Sequence, residues 1–239
     1  MIGILVGGGF RVRHAAVFFD LFDTLCRIDE TIYGAGKRAE ADLLGIDPEA
    51  FVRTWVALAD RAQMGTLPDI GARVREAAGL LGVTPSEAIV RRVVQVEIDS
   101  LLAGTTLYPD ARPALSTIRA RGGLRTGLIS NASAAAVPLY ERLGLTAFFD
   151  HAVFSFQVGI VKPSPGIYLA ACRALRVDPA TCLFVGDGNG GELDGAKAVG
   201  METVRIERAL TLHPYRKRES IHFDSTVDDL TRVVSLIRT

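Results

Sequence analysis

The chain has 239 residues, 49% hydrophobic and 23% charged, with 27 Lys and Arg balanced against 27 Asp and Glu. This is ordinary globular composition, and its neutral balance excludes recruitment of nucleic acid or an anionic membrane surface by global charge. Cys26, Cys172 and Cys182 are odd in number and lack metal-ligand spacing, which argues for buried thiols in a reducing cytoplasm rather than a disulfide framework, and no apolar run reaches the ~18 residues of a membrane span.

In chain order, residues 1–14 read as a leader. Met1–Gly9 lacks the basic start and cleavage site of a signal peptide, and Gly7-Gly8-Gly9 has no βα unit after it that would make it a dinucleotide fingerprint. Val17-Phe18-Phe19 is an apolar, strand-forming run that ends at an acid, Asp20. Such a run suits a strand of a parallel sheet buried on both faces. An acid at its carboxyl end lies where ligands bind in open α/β sheets. From about Thr31 to Gly104 the apolar spacing turns helical, with helices predicted over Tyr33–Leu44, Pro48–Met64, Ile70–Leu81 and Pro85–Ala103. Asp47 with Pro48, and Ser86 with Glu87, are start signals for two of them.

From Tyr108 strands and helices alternate. Predicted strands cover Leu124–Ile129, Ala152–Phe154, Thr181–Val185 and Glu202–Ile206, with a short one at Phe223. Predicted helices cover Pro109–Arg121, Ser133–Leu143, Pro165–Leu175 and Leu193–Val199, with a closing helix from Val227. The pattern implies an α/β fold: a doubly wound parallel sheet in a Rossmann-like three-layer core, with an inserted all-helical cap domain. The core would take residues 15–28 and 106–239 and the cap residues 29–105. The polar stretch 209–219, including Arg216-Lys217-Arg218, reads as a solvated loop and not a nucleic-acid site.

Four strand ends carry chemically suggestive groups: Asp20; Ser130-Asn131; Lys162; and Asp187 with Glu192 and Asp194 behind it. Each alone has an ordinary structural role, as a cap, a turn or a solvated charge. In a parallel sheet they converge on one edge. There Asp20 and Asp187 can offer oxygens to Mg²⁺. Lys162, the Ser130 hydroxyl and backbone N–H groups near Ser133 can bind phosphoryl oxygens. Asp20 can act as a covalent nucleophile.

These motifs resemble those of the haloacid dehalogenase-like hydrolase superfamily. The resemblance rests on Phe19-Asp20-Leu21-Phe22-Asp23-Thr24-Leu25, Leu128-Ile129-Ser130-Asn131, Gly159-Ile160-Val161-Lys162-Pro163-Ser164-Pro165, Val185-Gly186-Asp187 and Gly195-Ala196-Lys197-Ala198-Val199-Gly200-Met201, and covers nearly all of the chain after residue 15. It implies a Mg²⁺-dependent phosphatase of a small phosphorylated molecule, cytoplasmic, monomeric or homodimeric. Asp20 would be the nucleophile, Ser130, Asn131 and Lys162 the phosphate-binding groups, and Asp20, Asp187, Glu192 and the Phe22 carbonyl the metal site.

Two departures stand out. Family phosphatases carry a second Asp two residues after the nucleophile as general acid and base; here that residue is Phe22, and Asp23 follows one place later. In an extended strand Asp23 would point away from Asp20, so it can serve only if the chain coils at once. The usual second metal-side acid falls on Glu192, with Asp194 expected to face solvent. An alternative is a 2-haloacid dehalogenase, a branch that resembles this chain at Phe22, Tyr168 and Asn189 but uses no metal and lacks an acid at the Asp187 position. Tyr168 also reads simply as a core residue. A further alternative is a non-catalytic relative that binds a phosphorylated ligand. In the cap, Arg27, Arg53, Arg61 and the Met64-Gly65-Thr66 turn are candidates to face the crevice, and Trp55 is expected in the cap core.

Overall fold

The computed structural model describes residues 13–208 and 219–238. Most of the 1–14 leader and nearly all of the predicted 209–219 loop, Arg216-Lys217-Arg218 included, lie outside the described residues.

Strand β1 (Ala16–Phe19) is buried along its whole length. Its four apolar residues alternate between two cores. Val17 and Phe19 pack on one face with Leu115, Ile118 and Val204. Ala16 and Phe18 pack on the other with Ile167, Tyr168 and Phe184. A strand with no polar face must have both sides covered, which is why it lies inside a parallel sheet. β4 (Arg125–Ser130) and β6 (Cys182–Gly186) flank β1, and β5 (His151–Phe154), β7 (Glu202–Ile206) and β8 (Ser225–Val227) complete six parallel strands in the order β5-β4-β1-β6-β7-β8. α6 (Ala111–Ala120) and α7 (Ala136–Arg142) cover the first face; after the single turn of α8 (Ser155–Val158), α9 (Pro165–Leu175) and α10 (Glu192–Ala198) cover the second. Phe18 is fully buried, and truncating it to Ala should cost about 3–5 kcal/mol.

Between β1 and β4 the chain leaves and re-enters the core through a short antiparallel ribbon, β2 (Cys26–Ile28) and β3 (Thr105–Leu107). Neither strand is predicted from the sequence, because three residues are too few to show a period. Between them lie α1 (Glu30–Leu44), α2 (Pro48–Ala57), α3 (Ala59–Gln63), α4 (Ile70–Leu80) and α5 (Glu87–Gly104). Their starts are chemically marked. Asp29, Asp47, Asp69 and Ser86 each accept a backbone N–H of the first turn. The block has its own core around Phe51, Trp55, Val74, Val90 and Val93. It meets the α/β core where Leu101 packs with Ala135, Leu139 and Phe22.

Four predicted elements shift. The helix predicted over Pro48–Met64 breaks at Leu58, where ψ is −1° while the side chain stays in the block's core. The helix expected from Ser133 begins at Ala136. The closing helix expected from Val227 starts later. Val227 is instead the last residue of β8 and is paired with Ile206, and α11 spans Val233–Leu236. Phe223 lies outside that strand, beneath the Arg205 guanidinium.

Candidate active site

The chain coils immediately after β1. The Asp20 N–H donates to Val185 O at 2.9 Å, anchoring the acid to β6. The N–H groups of Leu25 and Cys26 both reach back to Leu21 O, at 2.8 and 3.1 Å, and the Asp23 N–H donates to Cys26 O at 2.7 Å. Asp23 takes a left-handed backbone, φ 58°, which Asp tolerates better than most side chains. Asp23 therefore lines the same cavity as Asp20 instead of pointing away. The bonds that bracket Phe22 use neither its N–H nor its C=O. Its ring packs at the junction of core and helical block.

Lys162 ties the site together. Its ammonium donates to Asp20 Oδ1 and, at 2.5 Å, to Glu192 Oε2, and all three side chains are buried. Glu192 begins α10, and its Oε1 accepts the Gly188 N–H at 3.1 Å. A Cβ on Gly186 would stand 2.1 Å from that oxygen, so only glycine leaves room for the carboxylate. Gly195 likewise lets α10 approach Pro163, whose carbonyl oxygen would lie 2.4 Å from an added Cβ. Asn131 holds the lysine's backbone from both sides: the Lys162 N–H donates to Asn131 Oδ1 at 2.7 Å, and Asn131 Nδ2 donates to Lys162 O at 3.0 Å. Its amide is thus engaged with Lys162. Ser130 ends β4 fully buried, and its hydroxyl has no partner among the described residues; Asn131, Ala132 and Ser133 form the cavity wall there. Tyr168 is a core residue, its hydroxyl donating to Glu192 O at 2.7 Å. Asp194 turns to the 221–222 backbone, accepting the His222 N–H at 2.9 Å.

Asp20, Asp187 and Glu192 each place one carboxylate oxygen within 4.8 Å of the others. Burial pushes the Asp20 carboxyl up; Lys162 opposes that and Asp187 adds to it. Burial also lifts Glu192 well above the usual carboxylate range, against the pull of Lys162. Burial alone would lower the Lys162 ammonium, but Asp20 and Glu192 more than offset it, so it stays charged. Lys162 thus reaches two of the three buried acids, Asp20 and Glu192, and a buried carboxylate is stable only when paired or bound to a metal. The donors are all oxygen, which suits a hard divalent ion such as Mg²⁺. The residues present fit that ion.

The cavity holds about 690 Å³ and lies between the strand ends and the helical block. The core contributes Asp20, Phe22, Asp23, Asn131, Lys162 and Glu192; the block contributes Tyr33, Val56, Arg73, Glu97 and Leu101 among others. Arg27, Arg53, Arg61 and the Met64–Thr66 turn are not among its lining residues. Arg53 pairs with Glu49 at 3.6 Å and Arg61 with Glu76 at 2.5 Å. Trp55 is buried in the block's core. Arg73 escaped the sequence reading. The available signal was its place on the buried stripe of α4, with Val74, Ala77 and Ala78, where an arginine is out of character.

A family model described as haloacid dehalogenase-like hydrolase matches residues 14–200. The chain is 30% identical over 202 residues to Phosphatase MT3486 of Mycobacterium tuberculosis, covering 82% of this chain and 88% of that protein. It is 36% identical over 131 residues to the glyceraldehyde 3-phosphate phosphatase of Methanopyrus kandleri, a match that spans only 54% of this chain and 55% of that protein. Among solved structures, the L-2-haloacid dehalogenase from Xanthobacter autotrophicus superposes with a TM-score of 0.65 at 26% identity, covering 94% of this chain and 98% of that one.

Proposed function

The chain belongs to the haloacid dehalogenase-like hydrolases, and from that premise we propose that it is a Mg²⁺-dependent phosphatase of a small phosphorylated metabolite, with Asp20 as nucleophile. One observation carries this reading: Lys162 bridges Asp20 and Glu192 beside Asp187, in a buried cluster that opens on the cavity also lined by Asp23. The likeness to phosphatases supports the substrate class.

In the proposed reaction an Asp20 carboxylate oxygen attacks phosphorus. The new O–P bond forms as the ester oxygen leaves with the electron pair of its own bond to phosphorus. Asp23 gives that oxygen a proton, then takes one from the water that attacks the aspartyl-phosphate. The second step breaks the Asp20–phosphorus linkage and releases inorganic phosphate. Lys162 orients Asp20 and offsets charge on the phosphoryl oxygens. The partnerless Ser130 hydroxyl is a further donor to them. Asn131 acts by fixing Lys162. Asp20, Asp187 and the Phe22 carbonyl, with Glu192 behind them, would hold Mg²⁺, which when bound neutralises phosphoryl charge. Residues 29–105 act as a cap that excludes water and selects the substrate.

A second reading, a 2-haloacid dehalogenase, is favoured by the aromatic Phe22 beside the nucleophile and by the likeness to dehalogenase structures. Asp187, a third buried acid, weighs against it. A panel of phosphate esters assayed with and without Mg²⁺, beside chloride release from 2-chloropropionate, separates the two. Phosphate release that needs Mg²⁺ supports the phosphatase. Chloride release insensitive to chelator replaces it. Ligand binding without either product points to a non-catalytic relative.

A further inference from the structure

We propose that Arg73 is a specificity-determining residue of the cavity, binding a second anionic group, a carboxylate or phosphate, on the end of the substrate remote from the phosphoryl centre. This rests on the phosphatase reading for the identity of the first group. Arg73 is only 7% exposed. One guanidinium nitrogen, Nη2, donates to Trp55 O at 2.5 Å, and the guanidinium lies 3.9 Å from the Trp55 ring centroid. Nε is buried without a partner among the described residues. Among the described residues no carboxylate lies within ion-pair distance of this guanidinium.

The neighbouring acids are already used. Glu40 accepts from Lys37 through both oxygens, at 3.0 and 3.1 Å. Glu97 accepts from Lys37 at 2.5 Å and from the Tyr33 hydroxyl at 3.1 Å. Arg73 is therefore a buried cation left without an acid, on the wall of the cavity that Asp20 and Lys162 line from the other domain. Burying an unpaired charge is costly, and a planar guanidinium matches carboxylate and phosphate oxygens in a forked geometry that few other groups match. The lining of the same cavity includes Phe22, Ile28, Val56 and Leu101, which favours an apolar spacer. Of the acids that the helical block places on these walls, Glu30 and Asp60 are exposed and the buried Glu97 is held by Lys37 and the Tyr33 hydroxyl.

The test uses a chain-length series of phosphate monoesters of ω-hydroxyalkanoic acids, their neutral carboxamides, and α,ω-diol bisphosphates. Trp55 is the chain's one tryptophan and touches Arg73, so its fluorescence reports binding in the Asp20→Asn protein without turnover. At the best chain length the acid or the bisphosphate should bind at least about tenfold tighter than the carboxamide, and which of them wins identifies the anion. Arg73→Met should bring that ratio near one, and Arg73→Lys should leave it intermediate. Equal affinity for charged and neutral partners at every length overturns the proposal, whether or not Arg73→Met folds. So does a preference that survives Arg73→Met with native circular dichroism. Hydrolysis of all the esters without charge preference sinks the Arg73 proposal and spares the phosphatase; a charge preference in binding with no hydrolysis by the unmodified protein does the reverse.

Discussion

Asp23 is the residue on which the reaction's scope turns. The sequence predicts its side chain away from Asp20 if the strand continues, but β1 ends at Phe19 and the left-handed turn brings Asp23 to the cavity wall. If it is the proton donor, Asp23→Asn should lower kcat on alkyl phosphates by ~10²–10⁴-fold and on aryl phosphates, whose leaving groups need less protonation, by clearly less. Equal losses on both would contradict that role. Phe22→Asp, which places an acid at the usual position, should raise activity on alkyl phosphates; a flat result would show that protonation does not limit them. The place of Asn131 at the end of β4 was legible in the sequence, but its bonds to Lys162 were not. Its two bonds to the Lys162 backbone join loops 31 positions apart, a pairing that no local pattern announces. Asn131→Ala should cost up to ~10²-fold in kcat through misplacement of Lys162, with little change in thermal stability, read by steady-state kinetics beside a melting curve.

At the scale of elements, strands and helices of the core were readable because β1 and β6 are apolar runs and β4 carries Leu128-Ile129, all set between amphipathic helices. The β2–β3 ribbon and β8 were not, since three-residue strands owe their existence to pairing partners far along the chain. The β6–α10 junction joins both kinds of information. Gly186-Asp187 marks a turn in sequence, while the need for glycine comes from Glu192 lying against it. Gly186→Ala should push the Glu192 carboxylate off Lys162 and lower kcat by about 10²-fold. An unchanged kcat would mean that the Lys162–Glu192 contact does not matter to turnover.

Across the whole molecule, the helical block carries a buried charge cluster whose acids outnumber its lysine. Burial, reinforced by Glu97 and opposed by Lys37, raises the Glu40 carboxyl to about 8 from 4.5. The folded protein thus keeps a proton that the unfolded chain releases between those values. That stabilisation is present below about pH 4.5 and is lost as the pH rises through 8. The melting temperature should therefore fall from pH 5 to pH 9, and Glu40→Gln should flatten the fall; an unaltered slope would show that Glu40 is not the titrating group. Which residues of the helical block line the cavity, Arg73 among them, was beyond sequence reading because it depends on which helix faces turn toward the sheet edge. The central claim, that Asp20 is the nucleophile of a Mg²⁺-dependent phosphoryl transfer, is tested most directly by phosphate release from an aryl phosphate in the unmodified protein and in Asp20→Asn. Release should require Mg²⁺ and fall by at least ~10³-fold in the folded variant; an Asp20→Asn protein that releases phosphate at the unmodified rate would contradict it.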